Sequence, residues 1–207
     1  TPFSNRPIYP TFRTALTFSN VPYVPLIDYN AVSAYYLATS ALIGNMAATG
    51  SVTGTGGLVF TAGSGINVVT IDQQLLREAW SFTINAPEDA IVLINVLNAS
   101  VTLDSTTWIY EGGITQESVI LNMPNASSLA LSSTNKVNIL APLASTAFAQ
   151  GTVDGLLVVG DLSGGGHVMG GTFNAHAIPD PTTVVLLGLG GVVLLGRRKR
   201  LLNRHTA

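Results

Sequence analysis

The sequence predicts a mainly β fold: a β-solenoid-like body with one packed α-helix, followed by a C-terminal apolar helix. After Gly50 the chain consists of short β-branched or aliphatic runs separated by Gly, Asn, Ser and Pro, as is typical of strands joined by tight turns. Two such runs begin 19 residues apart, at Val137 and Leu156, and this spacing fits successive coils of a solenoid. A Greek-key β-sandwich would also give short strands and frequent turns, so it stays open as the alternative.

The body begins with an extended segment and a helix. Residues 1–26 are interrupted by proline and are expected to be extended. Asp28 is placed to cap a helix over residues 31–46, the one helix that we expect in the body. Its apolar side chains recur at helical spacing and are expected to pack in the core; they are Val32, Tyr35, Tyr36, Ile43 and Met46.

Eleven strands are expected after this helix. The predicted segments are residues 58–61, 67–71, 81–84, 90–96, 101–103, 107–110, 118–121, 129–131, 137–141, 156–159 and 167–173. The chain of 207 residues is long enough for one domain with a real core, and it has no cysteine. Core packing and backbone hydrogen bonds must therefore stabilise it without disulfides.

The C-terminal tail differs sharply from the body in hydropathy and charge. Residues 182–196 are apolar, and four consecutive cations follow them. Four cations against eleven acids leave residues 1–196 at a formal charge of −7. A basic cluster beside an apolar segment stays on the cytoplasmic side of a membrane, which places the acidic body outside. The acidic body also argues against a nucleic-acid partner.

The tail resembles a PEP-CTERM sorting signal, in which a Pro-Glu-Pro motif precedes an apolar helix and an Arg-rich end. Pro179, Asp180 and Pro181 occupy the motif, with Asp180 in place of the usual Glu. The membrane stop consists of Arg197, Arg198, Lys199 and Arg200. The resemblance implies an exosortase-type processing enzyme as partner. It also implies anchoring in the inner membrane of a Gram-negative bacterium, and later release to the cell surface or extracellular matrix.

The body resembles the choice-of-anchor A domain, a module of bacterial surface proteins. The segment Ile139-Leu140-Ala141-Pro142, followed by Asp154-Gly155 and a strand, carries the most specific part of the resemblance. The resemblance implies adhesin-like activity without naming a ligand. We therefore divide the chain into five regions. Residues 1–26 are an N-terminal segment that we expect to be truncated, and residues 27–175 are the choice-of-anchor A-like β domain. Residues 176–182 are a linker with the sorting motif, residues 183–196 the sorting helix, and residues 197–207 a basic cytoplasmic tail.

The histidines and carboxylates do not form a recognisable metal site. His167, His176 and His205 lie far apart in the sequence, and no cysteine accompanies them. A zinc site needs several converging ligands, so no metal and no cofactor are expected. Calcium held by loop aspartates and carbonyls stays open, although no Asp-rich repeat is present.

Paired carboxylates for glycan hydrolysis are poorly placed in the sequence. Glu88 and Asp89 are adjacent and would point to opposite faces of a strand. Asp154 and Asp161 flank an apolar strand and would lie roughly 20 Å apart, if extended, at about 3.3 Å per residue. A glycosidase needs a separation of about 5–9.5 Å.

These observations favour a non-catalytic, exported, adhesin-like protein that binds extracellular polysaccharide or neighbouring cells. The alternative is an exopolysaccharide-acting enzyme on a β-solenoid, for which Trp80, Trp108 and Tyr110 could stack on sugars. Core packing is the expectation for Trp80. Ice binding would require a regular threonine ladder, and Thr53 and Thr55 do not supply one.

Overall fold

A computed structural model describes residues 28–104 and 106–173, which form a mainly β body. The helices are α1 (Tyr29–Gly44) and α2 (Gln73–Glu78), and a 3₁₀ turn spans Gln116–Ser118. The strands are β1 (Gly57–Thr61), β2 (Gly65–Thr70), β3 (Ser81–Asn85), β4 (Ala90–Asn95), β5 (Ser100–Leu103), β6 (Thr107–Glu111), β7 (Val119–Asn122), β8 (Ser128–Leu131), β9 (Thr134–Asn135), β10 (Asn138–Phe148), β11 (Thr152–Val153), β12 (Leu157–Gly164) and β13 (His167–Val168). The predicted elements at residues 1–26 and 176–207 lie outside the described residues.

The strands wind into successive coils of a curled, all-parallel sheet, which confirms the predicted fold class. Each ladder between two strands is parallel, and the largest sheet has the order β2-β4-β7-β10-β8-β5, with β12 beside β10. One coil consists of β3, β4 and β5, and the next of β6, β7 and β8. Aligned residues lie 27 positions apart at Leu93 and Ile120, but 18 apart at Ile139 and Leu157. The coils therefore shorten along the chain, and the open alternative of a Greek-key sandwich is wrong.

The interior of the coils holds the main hydrophobic core. Phe82 and Trp108 lie in aligned positions on β3 and β6, and their rings stack with centroids 5.3 Å apart. Leu93 and Ile120 point out of the coils instead, into a second cluster with Ile43 of α1. This is why all six residues of β4 are buried: the core covers one side and α1 covers the other.

Helix α1 begins and ends two residues before the predicted bounds. The Asp28 carboxylate accepts hydrogen bonds from the N–H groups of Asn30 and Ala31, as the predicted N-cap requires. The predicted apolar face is only partly correct. Tyr36, Ile43 and Met46 contact the sheet, but Val32 and Tyr35 are exposed. The buried strip of α1 instead includes two polar residues, Thr39 and Ser40.

Helix α2 and the full lengths of β10 and β12 differ from the elements that the sequence predicts. Helix α2 has only six residues, too few to show helical periodicity. Strand β10 continues through Pro142 to Phe148, and its register shifts between Ala141 and Ser145. This irregularity accommodates the proline, which cannot donate to a regular ladder. Strand β12 likewise continues through Asp161–Leu162, which the sequence analysis placed after the strand.

Candidate functional site

One side of the coils carries aligned rows of small side chains that no helix among residues 28–104 and 106–173 covers. Ser100, Ser128 and Ser145 occupy matching positions on β5, β8 and β10, and Asp161 of β12 continues the row. A second row, two residues further along each strand, consists of Thr102, Ala130, Ala147 and Ser163. We call these eight residues the serine face.

The outward side chains of the serine face are small, and the inward ones hold its strands against the core. Val101 and Leu129 point inward between the two rows, and Leu103, Leu131 and Phe148 do so beyond them. Neighbouring strands lie about 4.8 Å apart, so equivalent side chains repeat at that distance. The Ser128 hydroxyl donates to the Ser100 hydroxyl at 3.0 Å and links two coils along the row.

Helix α2 borders the serine face with charged and amide side chains. A polar cavity of about 640 Å³ lies between them, lined by Asp72, Gln74, Arg77 and Glu78 on one side and by Ser100 and Thr102 on the other. Two hydrogen bonds to the Asp72 carboxylate lower its pKa. The bond from the Gln74 N–H has the larger effect, and the bond from the Asn98 side-chain amide has the smaller one. Asp72 therefore carries its negative charge at the edge of the serine face at any pH near neutrality.

The aromatic residues considered for sugar stacking occupy three different environments. Trp80 is 68% exposed, so the expectation that it packs in the core is wrong. Trp108 is only 6% exposed and stacks on Phe82, where it cannot reach a ligand. The Tyr110 hydroxyl donates a hydrogen bond to the Lys136 carbonyl. Burial raises the pKa of the Tyr110 hydroxyl well above its usual range, and the nearby negative charge of Asp154 raises it further.

The candidate carboxylates and His167 do not converge, and His176 and His205 lie outside the described residues. Glu88 and Asp89 lie exposed in the turn between β3 and β4, rather than in a strand. Asp154 follows β11, whereas Asp161 belongs to the serine face. Within residues 28–104 and 106–173, no group of three or more His, Cys, Asp or Glu residues is placed to hold a metal ion. His167 is exposed at the start of β13.

The serine face is not among the sites predicted from the sequence, although three segments carry a signal for it. Residues 100–103 read Ser-Val-Thr-Leu, residues 128–131 read Ser-Leu-Ala-Leu, and residues 145–148 read Ser-Thr-Ala-Phe. Each begins with serine and places a second small residue two positions later. Spacings of 28 and 17 residues between these segments hide the repeat from a search for one fixed period.

The predicted sorting residues, Pro179 to Pro181 and Arg197 to Arg200, lie outside the described residues, as does the predicted apolar helix at 183–196. Among the helices that the structure describes, none has the length and apolar character needed to cross a bilayer.

Comparison with known proteins identifies one family for the body. Residues 8–169 match the family model described as "Putative Ice-binding-like adhesive domain". The match covers most of the predicted domain at 27–175 and ends before the motif at Pro179. A search of the curated proteins and a search of the solved structures found no match.

Proposed function

The chain belongs to the ice-binding-like adhesive domain family, and on that premise we propose that it is a non-catalytic adhesin of a bacterial cell surface or extracellular matrix. The serine face is the observation that carries this proposal. Among the described residues it is an uncovered array of hydroxyl and methyl groups, supported by a continuous core. Such an array of small side chains can lie against another extended surface.

The side chains of the serine face favour contact at a low entropic cost. Ser, Thr and Ala lose little rotamer freedom when they are covered, in contrast to Lys, Glu or Arg. The parallel ladders beneath them already fix their positions, so little ordering remains for the moment of binding. Each contact is weak, and many copies on one surface provide avidity. The partner in this proposal is extracellular polysaccharide or a neighbouring cell.

We further propose that the C-terminal tail delivers this domain to the outside of the cell. Pro179, Asp180 and Pro181 form the motif read by an exosortase-type enzyme, and the apolar segment at 183–196 anchors the chain in the inner membrane beforehand. The basic residues 197–200 hold the tail on the cytoplasmic side, while the acidic body lies across the membrane. The choice-of-anchor A resemblance of the body fits such a tail.

Ice binding is not the activity that we propose, despite the family's description. The regular threonine ladder expected of an ice-binding face is not formed by the described strands. Among the aligned residues of the described strands, two threonines are neighbours only at Thr134 and Thr152. The next residue in that row is His167. The serine rows also end in an aspartate, Asp161, and a serine, Ser163.

Beads coated with the full chain test adhesion against the enzyme alternative. We expect the beads to be retained on a surface covered with the extracellular matrix of the producing bacterium, and to be released by soluble matrix polysaccharide. The same polysaccharide, after incubation with the protein, should show no new reducing or unsaturated ends. Failure of the beads to adhere, together with the appearance of such ends, would replace the adhesin by an exopolysaccharide-acting enzyme.

A further inference from the structure

A second face, formed by β1, β3 and β6 and not covered by any other described element, carries an exposed tryptophan at its corner. Trp80 immediately precedes β3 and is 68% exposed, whereas most large apolar side chains of these strands lie in the core. Exposing an indole to water costs free energy that burial would recover, by about 25 cal/mol for each Å² of apolar surface. Of the two tryptophans, Trp80 is therefore the one that an external ligand can reach.

Trp80 is exposed but held in place by the backbone around it. Its N–H donates to the Gly56 carbonyl at 2.9 Å, and its carbonyl accepts from the Thr107 N–H at 3.0 Å. The indole lies over Gly56 and Gly57: a Cβ atom on Gly56 would stand 2.8 Å from the indole Nε1, and one on Gly57 would stand 3.1 Å from Cζ2. The indole thus lies against the bare backbone of these two glycines, where a side chain would displace it.

The surface beside the indole mixes apolar and hydrogen-bonding groups. Val59, Thr83 and Ile109 form an outward row across the three strands, and Thr61, Asn85 and Glu111 form the next. These six residues and Trp80 are here called the tryptophan face. Hydroxyl, amide and carboxylate groups alternate there with aliphatic carbons, on the strands that begin beside Trp80.

We propose that the tryptophan face binds neutral β-linked pyranosides, with Trp80 stacked on the C–H side of one sugar ring. A β-linked glucose unit places its hydroxyls around the ring edge and leaves the two sides apolar, which suits an aromatic surface flanked by hydrogen-bonding side chains. The charge selects neutral sugars over uronic acids, because Glu111 lies on the face and residues 1–196 carry a formal charge of −7.

This inference deepens the proposed adhesive function, on which it rests for its extracellular setting, but it uses a different face and a separate assay. Cellohexaose serves as the neutral probe, and the hexamer of β-1,4-linked glucuronate, which differs from it in its C6 carboxylates, as the anionic one. The full chain is titrated with each by calorimetry, while iodide quenching reports the fluorescence of the exposed Trp80 apart from that of the buried Trp108. We expect cellohexaose to bind and to protect Trp80 from iodide, and oligoglucuronate to do neither.

Variants separate stacking from a general loss of structure. Trp80→Ala should weaken cellohexaose binding by about tenfold or more, and Trp80→Phe, which keeps an aromatic ring, by about threefold. Gly57→Ala should also weaken it, because the added Cβ displaces the indole without removing it. Met169→Ala removes another exposed apolar side chain, near β13, and should leave the affinity unchanged.

Equal affinity of wild type and Trp80→Ala, or an absence of cellohexaose binding by the wild type, would overturn the inference. Preferential binding of oligoglucuronate would also overturn it. If the coated beads nevertheless adhere to matrix, the proposed adhesive function survives, and the ligand class assigned to the tryptophan face is wrong. Loss of bead adhesion with cellohexaose binding intact would instead remove the adhesin proposal and leave a sugar-binding face.

Discussion

Ser40 and Asn122 lie 82 residues apart in the chain and exchange two hydrogen bonds beneath helix α1. The Ser40 hydroxyl donates to Asn122 Oδ1 at 2.7 Å, and Asn122 Nδ2 donates to the Ser40 carbonyl at 3.0 Å. Asn122 Nδ2 also donates to Asn95 Oδ1 at 2.8 Å, and Asn95 Nδ2 donates to the Ile43 carbonyl at 2.9 Å. These buried bonds fix α1 on the outside of β4 and β7, where apolar packing alone would allow it to slide.

Removing the Asn122 amide should destabilise the protein strongly. Asn122→Ala leaves the Ser40 hydroxyl and Asn95 Oδ1 buried without these partners, so we expect the free energy of unfolding to fall by about 2–3 kcal/mol. Urea unfolding measures this change. Asn125→Ala is the matched control: Asn125 is exposed, donates to the Leu97 carbonyl, and should change the free energy by about 0.5 kcal/mol or less. Equal midpoints for the two variants would contradict a fixing role for Asn122.

The two tryptophans should differ in their contribution to stability. Trp108→Ala empties a core position stacked on Phe82, and we expect it to lower the free energy of unfolding by about 3–5 kcal/mol. Trp80→Ala removes an exposed ring and should cost about 1 kcal/mol or less. Thermal and urea unfolding of both variants check this order. A larger loss for Trp80 than for Trp108 would show that the indole of Trp80 supports the fold, rather than a ligand site.

Asp72 should contribute to the acid sensitivity of the fold. Its hydrogen bonds with the Gln74 N–H and the Asn98 amide lower its pKa in the folded state below the ordinary value of about 3.9. Its contribution to stability is therefore complete above about pH 4 and is lost as the pH falls through the folded-state pKa. Melting temperatures of Asp72→Asn should decline less steeply below pH 4 than those of the wild type, and Asn98→Ala should give an intermediate slope. Three parallel curves would refute this assignment.

The sorting proposal predicts a specific processing defect. Replacing Pro179-Asp180-Pro181 by three alanines should leave the chain uncleaved in the inner membrane of the producing bacterium, because the processing enzyme no longer reads the motif. Fractionation, together with mass spectrometry of the mature C-terminus, measures this result. Normal processing of the triple-alanine chain would refute the motif assignment. Replacing Thr182 by alanine, next to the motif, is the matched control and should leave processing normal.

The strands were predictable because their local signals agree with their tertiary roles. The run Ile91-Val92-Leu93-Ile94 is apolar throughout and becomes a strand covered on both sides, whereas Ser128-Leu129-Ala130-Leu131 alternates and becomes a strand with one open side. The two-residue strands β9 and β11 could not be predicted, because such short segments have no periodicity of their own. These two strands form because they lie on neighbouring coils and pair with each other in parallel.

The candidate site was less predictable than the fold, because it depends on register. Ser100, Ser128 and Ser145 come together only once the coil lengths of 28 and 17 residues are known. Trp80 was misassigned for a related reason. An aromatic residue beside a strand is usually buried, and only the structure shows that Gly56 and Gly57 place its indole outside the coils.

The adhesion of beads that carry a single substitution on the serine face tests the central claim most directly. Ser128→Arg places a long cation in the middle of the first row, beside Ser100 and Ser145, without touching the core. We predict that beads coated with this variant are retained on matrix at about a tenth of the wild-type level or below, because many weak contacts are lost together. Ser51→Arg, at an exposed position away from the serine face, should retain the wild-type level. Wild-type retention by Ser128→Arg beads would contradict the assignment of the serine face as the adhesive surface.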